Sequence, residues 1–128
     1  MARPSKEWPT DGELNILRVL WERGPTRLSE ICETLSQERK VAPTTVATML
    51  KIMREKGQVK RVKDEGVAWE AILDQETAGR GLIQNILDRV FDGSARSLVL
   101  NLLDQGKLSS KDREEIRTLL ATKRGKAT

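Results

Sequence analysis

The sequence contains no histidine and no tyrosine, and its 128 residues include a single cysteine, Cys32. Without histidine, the common zinc ligand sets, Cys/His nucleophile pairs and Ser/His/Asp triads cannot form. A lone cysteine also leaves no intramolecular disulfide, which is usual in reducing compartments. We therefore expect a protein that is not an enzyme and that holds no metal or other cofactor, with Cys32 as a small buried hydrophobe.

Aromatic residues and long apolar runs are also scarce. Three Trp and one Phe offer few anchors for a β-sandwich or barrel, which favours helices. No apolar run approaches the roughly 18 residues of a membrane span, and the N-terminal stretch MARPSKEWPT has no signal-peptide core. The length suits one domain or two small ones. These features predict a mainly α protein located in the cytoplasm and not inserted into a membrane.

The positive charge is concentrated in one segment. The net charge of the chain is +4, but the 25 residues from Arg39 to Lys63 hold eight basic residues against one acidic residue, Glu55. This segment therefore carries +7, and the remaining 103 residues sum to −3. A cationic segment in a slightly acidic chain is typical of proteins that meet phosphates, although a solvated charged face would have the same composition.

The first part of the chain has the signals of three short helices. Thr10 and Glu13 form a capping-box pattern that predicts a first helix from about Asp11 to Arg23, ended by Gly24-Pro25. We expect Thr26 to cap the second helix. The apolar positions of that helix are Leu28, Ile31, Cys32 and Leu35. A third helix is predicted to begin near Pro43 and to continue to Gly57.

After the third helix the apolar period changes from helical to alternating. Val59 and Val62 lie among basic residues, and the apolar run Val67 to Leu73 follows the turn sequence Asp64-Glu65-Gly66. Three helices followed by a β-hairpin are the order of a winged helix-turn-helix. We therefore predict such a domain over residues 8–73.

From Asp74 the pattern is helical again, in three segments with wide apolar stripes. Ser109 or Ser110 is expected to cap the last of them. About fifty residues cannot bury such stripes alone, so a second copy of the chain is the natural partner. We predict a helical dimerisation domain over residues 74–124. Its predicted contact residues are Leu82, Ile86, Val90, Leu98, Leu102, Ile116, Leu119 and Leu120.

The third helix has two chemically different faces. A helical wheel places Val46, Met49, Leu50 and Met53 on an inward face, and Thr44, Thr48 and Lys51 opposite them with Thr45 on a flank. Small hydroxylated and basic side chains suit base edges in a major groove. The alternative is a solvent-facing surface on a domain that contacts proteins.

The basic residues of the hairpin have two interpretations as well. Lys60, Arg61 and Lys63 lie on or beside its first strand, next to the end of the third helix. There they would meet backbone phosphates, which positions a protein without specifying sequence. Lysines on an edge strand also protect it from aggregation.

Three blocks of sequence carry a family resemblance. They are Thr10-Asp11-Gly12-Glu13-Leu14 with Leu20-Trp21, Thr45-Val46-Ala47-Thr48-Met49-Leu50 with Lys56-Gly57, and Ser97-Leu98-Val99-Leu100-Asn101-Leu102. They resemble the penicillinase-repressor family, which includes BlaI, MecI and CopY, from about Pro9 to Lys123. The resemblance implies a homodimeric repressor with an N-terminal winged helix on palindromic operators and a C-terminal helical dimerisation domain.

The resemblance also implies roles for individual residues. Base contacts would fall to Thr44, Thr45, Thr48 and Lys51, and phosphate contacts to Arg54, Lys60, Arg61 and Lys63. In well-studied members a membrane-bound sensor metalloprotease, responding to β-lactam, triggers cleavage at an Asn-Phe bond. The corresponding bond here is Asn101-Leu102.

The chain departs from the family pattern at four points. Leu102 replaces the Phe of the cleavage site, so the inducing signal need not be an antibiotic. The C-terminal cysteine cluster of copper-responsive members is absent, which disfavours metal sensing. Thr44 and Ile52 stand where the family often has Lys and Arg, which leaves the operator sequence open.

Two other functions remain open from the sequence. In the first, the winged helix is a protein-interaction module that does not bind DNA. The charge of the +7 segment argues against this alternative. Alternatively, the regulator would respond to a small molecule held between the wing and the dimer domain. The lack of Tyr and His to line a pocket disfavours that second alternative.

Overall fold

The computed structural model of the chain describes residues 8–63 and 66–123. It divides into two compact units, Met1–Asn85 and Ile86–Thr128. The first unit contains three helices, a β-hairpin and the beginning of a fourth helix, and the second unit is helical. The elements are α1 (Asp11–Arg23), α2 (Leu28–Leu35), α3 (Pro43–Glu55), β1 (Val59–Lys63), β2 (Val67–Ala71), α4 (Gln75–Val90), α5 (Ala95–Asp104) and α6 (Ser110–Lys123).

The bounds of α1 confirm the sequence prediction. The Thr10 hydroxyl accepts a hydrogen bond from the Glu13 backbone N–H (3.2 Å), and the Glu13 carboxylate accepts one from the Thr10 N–H (3.1 Å). This reciprocal pair satisfies two N–H groups that have no partner inside the helix. Gly24 closes the other end with a positive φ of 77°, a conformation that glycine adopts without strain.

The predicted cap of α2 is wrong. Arg27, not Thr26, is the residue before the helix, and its backbone N–H donates to the Glu30 carboxylate at 3.4 Å. Thr26 is buried and pairs with Trp69 of the hairpin through two backbone hydrogen bonds of 2.8 and 2.9 Å. Its hydroxyl donates to the Gly24 carbonyl. Pairing with β2 holds Thr26 in an extended conformation one residue too early to cap the helix.

Helix α3 begins at Pro43, as predicted, because a proline in the first turn removes no intrahelical hydrogen bond. Val46, Leu50 and Met53 are fully buried, and Met49 is half-buried. The inward face predicted from the helical wheel is therefore confirmed. Its burial fixes the rotation of the helix about its own axis.

The two strands form the predicted antiparallel hairpin, with Val59 opposite Ala71 and Lys63 opposite Val67. Gly66 has a φ of 120°, which fits its predicted place at the end of the turn. The other two turn residues, Asp64 and Glu65, lie outside the described residues. β2 ends before the predicted Leu73, because the N–H groups of residues 72 and 73 both donate to the Gln58 carbonyl instead of continuing the ladder.

The core of the first unit lies between α1, α2, α3 and the base of the hairpin. Cys32 is buried there, as predicted, beside apolar side chains from all four elements. The Trp21 indole N–H donates to the Leu73 carbonyl at 2.8 Å, which ties α1 to the segment after the hairpin. The other buried side chains of this core are Ile16, Leu17, Val19, Leu20, Ile31, Val46, Leu50, Met53 and Val59.

The first eleven of the sixteen residues of α4 belong to the first compact unit. Ala78 and Gly81 are buried, and the Trp8 ring lies so close to Gly81 that an added Cβ would be 2.3 Å from it. The two units therefore divide inside α4, between Asn85 and Ile86, rather than at residue 73. The functional boundary between residues 73 and 74 stays a prediction.

Asp74 begins α4 as its capping residue. Its carboxylate accepts a hydrogen bond of 2.8 Å from the Thr77 backbone N–H. The Thr77 hydroxyl, the Thr77 N–H and the nearby Arg80 guanidinium all favour the ionised form, so the pKa of Asp74 lies below its ordinary value.

The second unit has well-capped helices but no buried side chain among its described residues. The Ser94 hydroxyl accepts from the Ser97 N–H at the start of α5, and Ser109 and Asp112 exchange two such bonds at the start of α6. Of the two serines that the sequence offered as caps, Ser109 is therefore the one that caps α6. Large apolar side chains are exposed on all three helices of this unit, namely Ile86, Val90, Val99, Leu100, Leu102, Leu103, Ile116, Leu119 and Leu120.

The described part of the chain has neither a membrane-spanning helix nor a metal-binding cluster. No helix there has both the length and the apolar character that a membrane crossing requires. The same residues contain no cluster of three Cys, Asp or Glu side chains arranged to hold a metal ion.

A partly buried ion pair joins the end of α3 to the start of α1. The Lys56 ammonium lies 2.9 Å from the Glu13 carboxylate, and the side-chain exposures are 24% and 7%. The Gln58 side-chain amide N–H also donates to Glu13 at 3.4 Å, while the oxygen of the same side chain, Oε1, is buried without a hydrogen-bond partner among the described residues. Glu13 therefore holds α3 and the base of β1 against α1.

We expect Lys56→Met to lower the free energy of unfolding by about 2 kcal/mol or more, because it leaves the Glu13 carboxylate buried without its cation. Adding Glu13→Gln should recover about half of that loss, since glutamine serves equally in a capping box. Urea unfolding followed by tryptophan fluorescence, at one fixed protein concentration, measures both. A coupled pair would be contradicted if the loss of unfolding free energy in the double variant equalled the sum of the losses in the two single variants.

Candidate nucleic-acid interface

The four predicted base-contacting residues lie on the exposed side of α3. Thr44, Thr45, Thr48 and Lys51 are all exposed, while the inward face of the same helix is buried. At a rise of about 1.5 Å per residue, the surface from Thr44 to Lys51 extends over roughly 10 Å. It is a narrow surface of hydroxyl, methyl and ammonium groups. We call these four residues the α3 surface.

The basic residues of the hairpin are also exposed, but they are divided between its two faces. Successive side chains of a strand point to opposite faces, so Lys60 lies on one face and Arg61 and Lys63 on the other. Lys60 and Arg61 each interact with a side chain of the opposite strand. Lys60 lies 3.8 Å from the Glu70 carboxylate, and the Arg61 guanidinium lies over the Trp69 ring at 6.0 Å from its centroid.

The remaining basic residues of the +7 segment separate into two groups. Arg54, the fourth predicted phosphate-contacting residue, is exposed near the end of α3, and Arg39 and Lys40 are exposed before it. Lys56 is instead half-buried and paired with the buried Glu13 carboxylate. The sequence held a signal for this difference, because Glu13 precedes the buried Ile16 at helical spacing and so lies on the inward stripe of α1.

One exposed residue of α3 was not among the predicted site residues. Ile52 is 42% exposed, whereas the other large apolar side chains of this helix are buried or half-buried. It follows Thr48 by one helical turn, so the two side chains are neighbours on the helix surface. Periodicity alone does not separate an outward isoleucine from an inward one in a helix that also carries Val46, Met49, Leu50 and Met53.

The order of the elements, the packing of α2 and α3 and the cationic hairpin define a winged helix-turn-helix protein, as the sequence predicted. In DNA-binding members of this class the second helix of the helix-turn-helix, here α3, is the one that enters the major groove. The fold by itself leaves the function open, because the same architecture serves other purposes.

Comparison with known proteins identifies the family. A model of the family described as penicillinase repressor matches residues 9–122. The methicillin resistance regulatory protein MecI of Mammaliicoccus sciuri is 24% identical over 115 residues, which are 89% of this chain and 94% of that protein. The penicillinase repressor of Bacillus licheniformis is 27% identical over 112 residues, which are 87% and 88% of the two chains.

This chain belongs to the penicillinase repressor family, and it is a transcriptional repressor that binds DNA rather than an enzyme. The family resemblance read from the sequence motifs is therefore confirmed. Among solved structures, a transcriptional regulator of Thermotoga maritima superposes with a TM-score of 0.49 at 20% identity, over 89% of this chain and 77% of that one.

The Lys60–Glu70 pair predicts that removing the charge of Glu70 changes the affinity for DNA. We expect Glu70→Gln to tighten binding to a fluorescein-labelled duplex of random sequence about twofold at low salt. The change removes a carboxylate that holds Lys60 and repels phosphate, and exposed pairs of this kind contribute well under 1 kcal/mol. Fluorescence anisotropy measures the affinity. Glu115→Gln, which removes the same charge from α6, is the matched control, and equal effects of the two variants would show that Glu70 has no special role.

Proposed function

We propose that this repressor binds palindromic operators in the cytoplasm as a homodimer, with one α3 in the major groove of each half-site. Thr44, Thr45, Thr48 and Lys51 would contact base edges in that groove, where threonine methyl and hydroxyl groups and a lysine ammonium all have partners. The observation that supports this most directly is the exposure of the whole α3 surface on a helix whose opposite face is buried.

The phosphate contacts are assigned to the exposed basic residues around the α3 surface, Arg54, Lys60, Arg61 and Lys63. Such contacts set the register of the protein on DNA, whereas base contacts set its sequence preference. In a symmetric dimer the two α3 helices would enter major grooves about 34 to 36 Å apart, or at a multiple of that spacing.

The second unit supplies the proposed dimer contact. It exposes large apolar side chains on α4, α5 and α6 and buries none of those described, which is an unstable arrangement for an isolated unit in water. A second copy of the same helices would cover them. The residues of this unit assigned to the contact are Ile86, Val90, Leu98, Leu102, Ile116, Leu119 and Leu120, and Leu82, which lies on α4 within the first unit, is assigned to it as well.

Release from DNA is proposed to follow cleavage of the Asn101–Leu102 bond, triggered by a membrane-bound sensor metalloprotease as the family resemblance implies. Both residues are exposed in the C-terminal part of α5. A protease needs an extended substrate, so α5 would have to unwind locally first. Cleavage would separate Leu102, Leu103 and all of α6 from the rest of the dimer contact.

We expect Lys60→Ala combined with Arg61→Ala to weaken binding to every duplex, specific or random. The slope of log Kd against log salt should fall by about 1.8 per bound protomer, because two phosphate contacts are lost. Thr48→Ala should instead reduce discrimination between duplexes selected from a random library and unselected ones. Anisotropy titrations at several salt concentrations measure both effects.

Lys107→Ala combined with Lys111→Ala serves as the charge-matched control in the second unit, and it should leave the slope unchanged. If neither the hairpin variant nor Thr48→Ala alters DNA binding, the interface lies elsewhere. An absence of any salt-dependent binding to DNA by the full chain would support a protein-interaction module instead.

A chain ending at Asn101 should be largely monomeric and should bind the selected duplex with at least about 100-fold lower affinity. Two half-site modules that act separately lose the effective concentration that linkage provides. Analytical ultracentrifugation gives the oligomeric state, and anisotropy gives the affinity. A truncated chain that remains a tight dimer would rule out this release mechanism.

A further inference from the structure

An apolar side chain lies where the proposed DNA-facing surface is otherwise polar or small. Ile52 is 42% exposed on α3, and it has no place in the core that Val46, Leu50 and Met53 complete from the other side of the helix. On a helical wheel it lies about 40° from Thr48 and about 20° from Thr45. Ile52 is therefore part of the same exposed surface as the predicted base-contacting residues.

The major groove offers few groups that suit such a side chain. Its edges present hydrogen-bond donors and acceptors, and the apolar group among them is the C5-methyl of thymine. Isoleucine has no donor or acceptor of its own. Against a cytosine or adenine amino group it would leave a polar group without a partner, which costs binding free energy. Ile52 therefore both favours thymine and disfavours those bases.

The neighbouring side chains strengthen this assignment. Thr48 precedes Ile52 by one turn, about 6 Å along the helix axis, and Thr45 lies a further turn away. Both are exposed and carry a methyl group beside their hydroxyl. The three side chains make a continuous apolar strip along one edge of the α3 surface, while Lys51 lies toward the other edge.

We propose that Ile52 is a specificity-determining residue that contacts the C5-methyl group of a thymine in each operator half-site. This inference rests on the proposed function, since it requires α3 to enter the major groove. It adds to that function the chemical group that is recognised.

The test uses DNA in which only the methyl group changes. The full chain first selects duplexes from a library with a random central region. In the most enriched duplex, each symmetric pair of thymines is then replaced by deoxyuridine, which removes the C5-methyl and keeps the hydrogen-bonding groups. At one such pair the affinity should fall about fourfold for each methyl lost, or about fifteenfold for both half-sites.

Protein variants assign that loss to a residue. In Ile52→Ala the ratio of thymine to deoxyuridine affinity at that pair should fall to about one, whereas Ile52→Val should keep most of it. Thr48→Ser removes the Thr48 methyl and keeps its hydroxyl, so it should leave the ratio at this pair unchanged. Ile72→Ala, at an exposed isoleucine outside α3, is the matched control. Circular-dichroism melting should show that Ile52→Ala stays folded, because alanine favours helix more than isoleucine does.

The outcomes separate this inference from the proposed function. The selected duplex could bind tightly while Ile52→Ala leaves the ratio of thymine to deoxyuridine affinity unchanged at every thymine pair. In that case the role of Ile52 is wrong, and operator binding stands. If the dependence disappears in Thr48→Ser instead, the methyl contact belongs to Thr48 and the inference is overturned. If no duplex is enriched and binding shows no salt dependence, the proposed function fails and the role of Ile52 fails with it.

Discussion

Burial of one face of α3 is the constraint on which the candidate interface depends. Val46, Leu50 and Met53 have no exposed surface, and they pack against α1, α2 and the base of the hairpin. Because side chains on a helix are fixed relative to one another, burying this face determines which residues face outward. The exposure of Thr48, Lys51 and their neighbours, which the proposed interface requires, is therefore a consequence of how the core is packed.

The basic segment serves two purposes that composition does not distinguish. Lys56 neutralises a buried carboxylate and fixes the end of α3 to α1, whereas Lys60, Arg61 and Lys63 remain on the surface of the hairpin. A buried charge such as the Glu13 carboxylate needs a partner of opposite sign. An exposed basic side chain of the hairpin can instead give up water or a weak ion pair, such as that with Glu70, to bind a phosphate. The pairing of Lys56 with Glu13 makes the position of α3 depend on an ion pair.

The two units differ in how they satisfy the hydrophobic effect. The first has a complete core within one chain, while the described residues of the second leave their apolar stripes on the surface. If the proposed dimer covers these stripes, the folding of the second unit and its dimerisation are thermodynamically linked. This arrangement would also make the second unit an effective place for a switch, because a single cut in α5 would remove part of the surface that the proposed dimer buries.

The sequence by itself determined the local structure and the family. The capping box at Thr10, the proline at the start of α3 and the alternation after Gly57 act over a few residues, so their signals are readable along the chain. Only the tertiary structure decided that Thr26 pairs with Trp69 instead of capping α2, that Lys56 pairs with Glu13, and that Trp8 packs on Gly81. The physical reason is distance along the sequence: Glu13 and Lys56 are 43 residues apart, and no local period records which distant side chains the core will bring together.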